Sequence, residues 1–116
     1  MTDSPLDLIG FDALLSDDER ATRDRLRAYV DSELRPHIAE WYDAGVFPTE
    51  IVKPMGALGL LGMHLQGYGC AGRSAVEYGL AAAELEAGDS GLRTFVSVQG
   101  SLAMTAIHSF GSEEQK

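Results

Sequence analysis

Arg93 stands seven residues after Glu86 and four before Ser97, with Thr94 beside it. A guanidinium can grip a carboxylate through two parallel hydrogen bonds, and nearby hydroxyls can orient the pair. Arg93 falls in the first turn of a predicted helix, where unsatisfied N–H groups already make the field positive. A cation there costs roughly a few tenths of a kcal/mol unless an anion joins it. Spacing alone leaves two readings. Glu86 and Arg93 form a structural ion pair across a turn, the commoner case, or they build a receptor for an anionic ligand.

The other patterns carry less. Gly67-x-Gly69-x-x-Gly72 matches the dinucleotide fingerprint and precedes a predicted helix. The preceding Leu60–Leu65 stretch is interrupted by glycine, and Gln99 stands where a ribose-binding acid would close the next strand. A Gly-rich connection between helices is the better reading. His37, His64 and His108 are far apart, so no metal site is expected, and Cys70 reads as a packed or idle thiol. Arg20, Arg23 and Arg27 line one helix face and read as a solvated face pairing with nearby acids.

Four helices have to position these groups. Residues 1–15, with Pro5 and Gly10, read as an irregular arm, and residues 16–116 as a single helical domain. Ser16 and Glu19 form a capping box for a first helix whose apolar stripe is Leu26, Val30, Leu34, Ile38 and Trp41, with a kink or restart at Pro36. A short second helix opens at Thr49-Glu50 and carries Ile51, Val52, Met55 and Leu58. Ser74 caps a third, with Val76, Leu80, Ala83 and Ala87 on its apolar face and Gly88 suited to a left-handed stop. A fourth helix holds Leu92, Val96, Ala103, Ile107 and Phe110. Being apolar on most sides, it is expected at the buried centre of the bundle. Ser112-Glu113-Glu114 then opens another helix just before Lys116, which marks the sequence as a truncated piece of a longer chain. The fold class is therefore all-α, an up-and-down helical bundle.

Composition narrows the function. The chain has 116 residues, 45% hydrophobic, with nine Lys+Arg against eighteen Asp+Glu and a formal net charge of −9. Phosphate backbones need clustered cations, so a nucleic-acid surface is not expected. No apolar run approaches the ~18 residues of a membrane span. One cysteine excludes an internal disulfide, and the acidic N-terminus is no secretory or transit leader, so a soluble protein of a reducing, cytoplasmic compartment is expected.

The run from Glu84 to Ser101, with Asp89-Ser90-Gly91-Leu92-Arg93 at its centre, resembles the N-terminal domain of acyl-CoA dehydrogenases, and among them the glutaryl-CoA type. Leu58–Gly62, the Gly67–Gly72 loop and Phe110–Gln115 share the resemblance, which covers the chain from about Asp12 onward. It implies an FAD enzyme that oxidises an acyl-CoA at Cα–Cβ, a glutamate removing the α-proton while the β-hydrogen leaves as hydride. For the glutaryl type it further implies loss of CO2 to give crotonyl-CoA, electron transfer to electron-transfer flavoprotein, and a homotetramer. It also implies that Arg93 binds the distal carboxylate, with Glu86, Thr94 and Ser97 beside it. Relatives often have serine at the Thr94 position, which leaves strict glutaryl selectivity open. The family's middle β-domain and C-terminal bundle, which carry the catalytic base and most flavin contacts, are absent from this sequence. The fragment alone is thus expected to be inactive and to hold FAD weakly or not at all. The alternative is an independent helical interaction module without catalysis.

Overall fold

The computed structural model describes residues 9–116, so the first part of the expected arm lies outside the described residues. All regular structure among the described residues is helical. A 3-10 turn, Phe11–Leu14, leads into α1 (Asp17–Tyr29). The capping box is formed as the sequence predicts. The Glu19 N–H donates to Ser16 Oγ at 3.3 Å, and Glu19 Oε2 accepts from the Ser16 N–H at 2.8 Å. The arm is tied to α1 as well, because Arg20 Nη1 donates to the carbonyls of Asp12 and Leu15 and Arg23 pairs with the Asp12 carboxylate.

The helix does not stop at Tyr29. It widens to a π-helical turn over Val30–Leu34, tightens to 3-10 over Arg35–His37, and restarts as α2 (Ile38–Ala44). Pro36 sits in the tight turn, where its missing N–H breaks the ladder. Leu26, Val30 and Leu34 are fully buried, so the stripe survives the change of register. A 3-10 turn, Thr49–Ile51, then leads to α3 (Val52–Ala57), short as its glycines predict.

α4 (Ala75–Gly88) packs against both α1 and the following α5 (Ser90–Ser97) and is the central helix. Two expectations are corrected here. The buried face of α4 is Glu77, Leu80, Ala81 and Leu85, whereas Val76, Ala83 and Ala87 face outward. The helix is rich in alanine on every side, so apolar spacing could not select its inner face. Its two leucines, Leu80 and Leu85, go inside, and a buried polar contact joins them, the Thr22 hydroxyl donating to Glu77 Oε1 at 2.8 Å. The last predicted helix is likewise not the buried centre. It runs through α5, a π-helical stretch Val98–Met104 and α6 (Thr105–Phe110), and only its first half is packed. Leu92, Val96 and Gly100 are buried, but Leu102 is 67% and Phe110 90% exposed.

Gly88 is also not a left-handed cap. It stays helical, and a Cβ built there would lie 2.7 Å from Val30 Cγ1, so glycine lets the end of α4 meet the π-helical turn that follows α1. At the chain end the predicted start is present: the Ser112 N–H donates to Gln115 Oε1 and the Gln115 N–H returns to Ser112 Oγ.

Candidate anion-binding site at the α4–α5 turn

A single non-helical residue separates α4 from α5. Asp89 is extended (φ −160°, ψ 127°), and its Oδ1 accepts from the Leu92 N–H at 2.9 Å, capping α5. Its own N–H donates back to the Leu85 carbonyl at 2.8 Å. With both helix ends fixed through one residue, side chains from the last turn of α4 and the first turns of α5 meet on one side.

There Arg93 Nε donates to Glu86 Oε2 at 2.6 Å, and Arg93 Nη1 donates to Ser97 Oγ at 3.3 Å. The Ser97 hydroxyl donates to the Thr94 carbonyl at 3.1 Å. Ser90 Oγ donates to the other oxygen of Glu86, Oε1, at 2.5 Å. The structure thus joins three of the predicted residues, Glu86, Arg93 and Ser97. Thr94 is exposed beside them and joins through its backbone, not its hydroxyl. Ser90 is the member that spacing did not single out, although it lies four residues after Glu86.

The Arg93 side chain is 35% exposed and that of Glu86 46%. The Ser90 hydroxyl first, and Arg93 second, hold the Glu86 carboxyl below the ordinary carboxylate value. Glu86 is therefore ionised near neutrality. Two of the five N–H groups of Arg93 are engaged, which leaves both on Nη2 and one on Nη1 for a further acceptor. The ion pair that spacing favoured is real, yet it does not exhaust the arginine. An open groove of about 570 Å³ lies on the other flank of the turn, lined by Trp41, Phe47, Pro48, Ser90 and Leu92 among others; neither Arg93 nor Glu86 lines it.

The remaining motifs sort themselves out. Gly67, Gly69 and Gly72 all have positive φ, 78°, 80° and 61°, in a loop with no strand before it. The helix start that follows is already occupied, since Ser74 caps it and Glu77 Oε2 accepts from the Ser74 N–H at 3.1 Å. A pyrophosphate would meet that carboxylate. The Gly67–Gly72 loop and the helix after it therefore do not form the phosphate cradle that the dinucleotide fingerprint would require. Arg20, Arg23 and Arg27 pair with acids, Arg27 gripping Glu84 side-on through Nε at 3.0 Å and Nη2 at 2.8 Å. No group of three possible metal ligands occurs among the described residues, and none of their helices is long and apolar enough to cross a membrane.

A second unpredicted feature lies farther along the helix. Thr105 Oγ1 donates to the Gly100 carbonyl at 2.8 Å and sits 3.0 Å from His64 Nε2. The other ring nitrogen of His64, Nδ1, is buried without a hydrogen-bond partner among the described residues. The π-helical stretch that brings these residues together has no signature in apolar spacing beyond a glycine amid apolar residues.

An all-helical domain with such a turn fits the N-terminal part of a flavin-linked acyl-CoA dehydrogenase, and the family described as "Acyl-CoA dehydrogenase, N-terminal domain" matches residues 16–116. The chain belongs to the acyl-CoA dehydrogenase family. It is similar to a glutaryl-CoA dehydrogenase of Mycobacterium smegmatis, with 64% identity and a TM-score of 0.91 over 95% of this chain and 29% of that one. A second glutaryl-CoA dehydrogenase structure from M. smegmatis, in complex with FADH2, is 57% identical with a TM-score of 0.93, covering 97% of this chain and 29% of its own. The probable acyl-CoA dehydrogenase YngJ of Bacillus subtilis is 32% identical over 105 residues, 88% of this chain and 27% of its own length. The chain spans under a third of each of these relatives.

Proposed function

We propose that this chain is the N-terminal helical domain of a longer FAD-dependent acyl-CoA dehydrogenase of the glutaryl-CoA type. In this reading Arg93 receives the distal carboxylate of glutaryl-CoA, Ser97 and Glu86 hold the guanidinium, and Thr94 lies at the edge of the pocket. The observation that carries it is the state of Arg93, anchored on one side by Glu86 and Ser97 with three N–H groups left over. The net reaction is oxidation at Cα–Cβ with loss of CO2 to crotonyl-CoA. Its base and its flavin site belong to the parts of such enzymes that these residues do not include. Electron-transfer flavoprotein as acceptor, a homotetramer and a cytoplasmic location belong to the same proposal. On this reading the 116 residues alone are expected to turn over no acyl-CoA and to hold FAD weakly or not at all. Stoichiometric flavin absorbance on the purified chain contradicts that last statement.

The test is a chimera in which this chain replaces the matching segment of a full-length glutaryl-CoA dehydrogenase. Arg93→Ala is expected to lower kcat/KM for glutaryl-CoA roughly a hundredfold, the loss of charge-assisted hydrogen bonds, while sparing butyryl-CoA. An equal fall on both substrates makes Arg93 structural. The second reading, a helical interaction module without catalysis, draws on the exposed Leu102, Ile107 and Phe110. It predicts a folded chimera with no turnover of any acyl-CoA.

A further inference from the structure

We infer that Ser90 is a positioning residue that keeps Arg93 open to a second carboxylate by holding one oxygen of Glu86 away from it. The inference rests on the carboxylate-receptor reading of Arg93 and adds the device that sets its selectivity. The molecule contains its own control. Arg27 and Glu84 also link neighbouring elements, and there both carboxylate oxygens face the guanidinium side-on, Oε2 on Nε at 3.0 Å and Oε1 on Nη2 at 2.8 Å. Among the described residues no hydroxyl hydrogen-bonds Glu84, and the pair closes through both oxygens.

At the α4–α5 turn the same two residue types meet differently. Ser90 Oγ occupies Glu86 Oε1, Oε2 alone reaches Arg93 Nε, and among the described residues Nη2 has no acceptor. Side-on closure is the favoured geometry of an arginine–carboxylate pair. With Ser90 removed, Oε1 swings onto Nη2. That consumes one of the three remaining N–H groups and sets a second negative oxygen beside the place an incoming carboxylate must take. A neutral acyl tail feels neither change.

The experiment uses the chimera, with kcat and KM for glutaryl-CoA and butyryl-CoA. Ser90→Ala is expected to lower the glutaryl/butyryl ratio of kcat/KM roughly fivefold, one hydrogen bond's worth, through KM for glutaryl-CoA with kcat kept. Ser90→Thr, which keeps the hydroxyl, restores the ratio, and Ser90→Ala adds nothing on a Glu86→Gln background. If Ser90→Ala leaves the ratio unchanged while Arg93→Ala collapses it, Ser90 only ties two helices together; the inference falls and the carboxylate receptor stands. If Arg93→Ala also leaves the ratio unchanged, both fall. Equal losses on both substrates, with no KM split, likewise assign Ser90 a structural role and overturn the inference. Should the variant chimera fail to fold, NMR of the Arg93 side chain in the 116-residue chain gives the answer directly. Nη2 is expected to rotate freely in the parent and to lock in Ser90→Ala, and unchanged rotation refutes the mechanism.

Discussion

The contact that joins the inner face of α4 to α1 offers a quantitative test of this account. Thr22 and Glu77 are 5% and 7% exposed, and the Thr22 hydroxyl donates to Glu77 Oε1 at 2.8 Å. Glu77 Oε2 is satisfied by the Ser74 N–H at 3.1 Å, but Oε1 has only one other neighbour, the half-exposed Arg73 Nη1 at 3.4 Å. Thr22→Val keeps the shape and removes the donor, leaving a buried carboxylate oxygen poorly paired. A hydrogen bond to a charged group contributes about 1.5–3 kcal/mol, which for a chain of this size shifts Tm by roughly 6–12 °C. The Thr22 bond first, then the Ser74 N–H, hold the Glu77 carboxyl below its ordinary value of 4.5. Its stabilising effect is therefore complete above that value and disappears as pH falls through the lower, folded one. Urea unfolding of the parent, Thr22→Val and Thr22→Ser at pH 7 and pH 3 is the assay. The Val gap should be widest at pH 7 and shrink at pH 3 toward the ~1 kcal/mol of a neutral hydrogen bond, while Ser stays near the parent. A Val variant as stable as the parent at pH 7, or a gap independent of pH, refutes the reasoning.

Two further outcomes test packing and surface. Gly88→Ala gains up to ~1 kcal/mol of helix propensity but drives a Cβ to 2.7 Å from Val30 Cγ1. Overpacking of that kind costs about 1–3 kcal/mol, so the variant should be less stable by thermal melting, and Val30→Ala should cost less on the Gly88→Ala background than on the parent. Leu102→Ser with Phe110→Ser removes side chains that are 67% and 90% exposed, so stability should change by less than ~0.5 kcal/mol each. Binding of an apolar dye to the 116-residue chain should fall; a large loss of stability instead would show that these side chains pack.

What the sequence disclosed follows the range of the forces involved. The capping box of Ser16 with Glu19 and the helix starts at Ser74 and Ser112 are made within three residues and all form, the last two closed by Glu77 and Gln115, which the sequence reading did not single out. The Leu26, Val30, Leu34 stripe was legible because α1 is polar on its other faces. α4 was harder to read in the same terms, because alanines lie on every side and a charged residue, Glu77, goes inside to meet Thr22, 55 positions away. The two π-helical turns left no periodic trace either. Each adds a residue to a turn without changing the residue types, so Leu92 and Phe110 read as one stripe although the first is buried and the second exposed.

The candidate site belongs to the local class, and that bears on how much of a dehydrogenase this domain can contribute. Glu86, Ser90, Arg93 and Ser97 lie within twelve positions, and the one non-helical residue among them, Asp89, has its backbone N–H bonded to Leu85 and its carboxylate bonded to Leu92. Such a cluster keeps its geometry whatever packs over it, because every bond that shapes it is made by the two helix ends themselves. Recognition of an acidic acyl tail can thus be built into an N-terminal domain before any reacting atom is in place. The chemistry at Cα–Cβ needs a base and a flavin at fixed distances from that tail, and the capped helix start at Ser74 offers no phosphate cradle for the latter. If Arg93 receives the acyl tail as proposed, changes in this cluster should alter which acyl-CoA is accepted more than how fast it is oxidised. The KM-against-kcat split in the chimera measures that division.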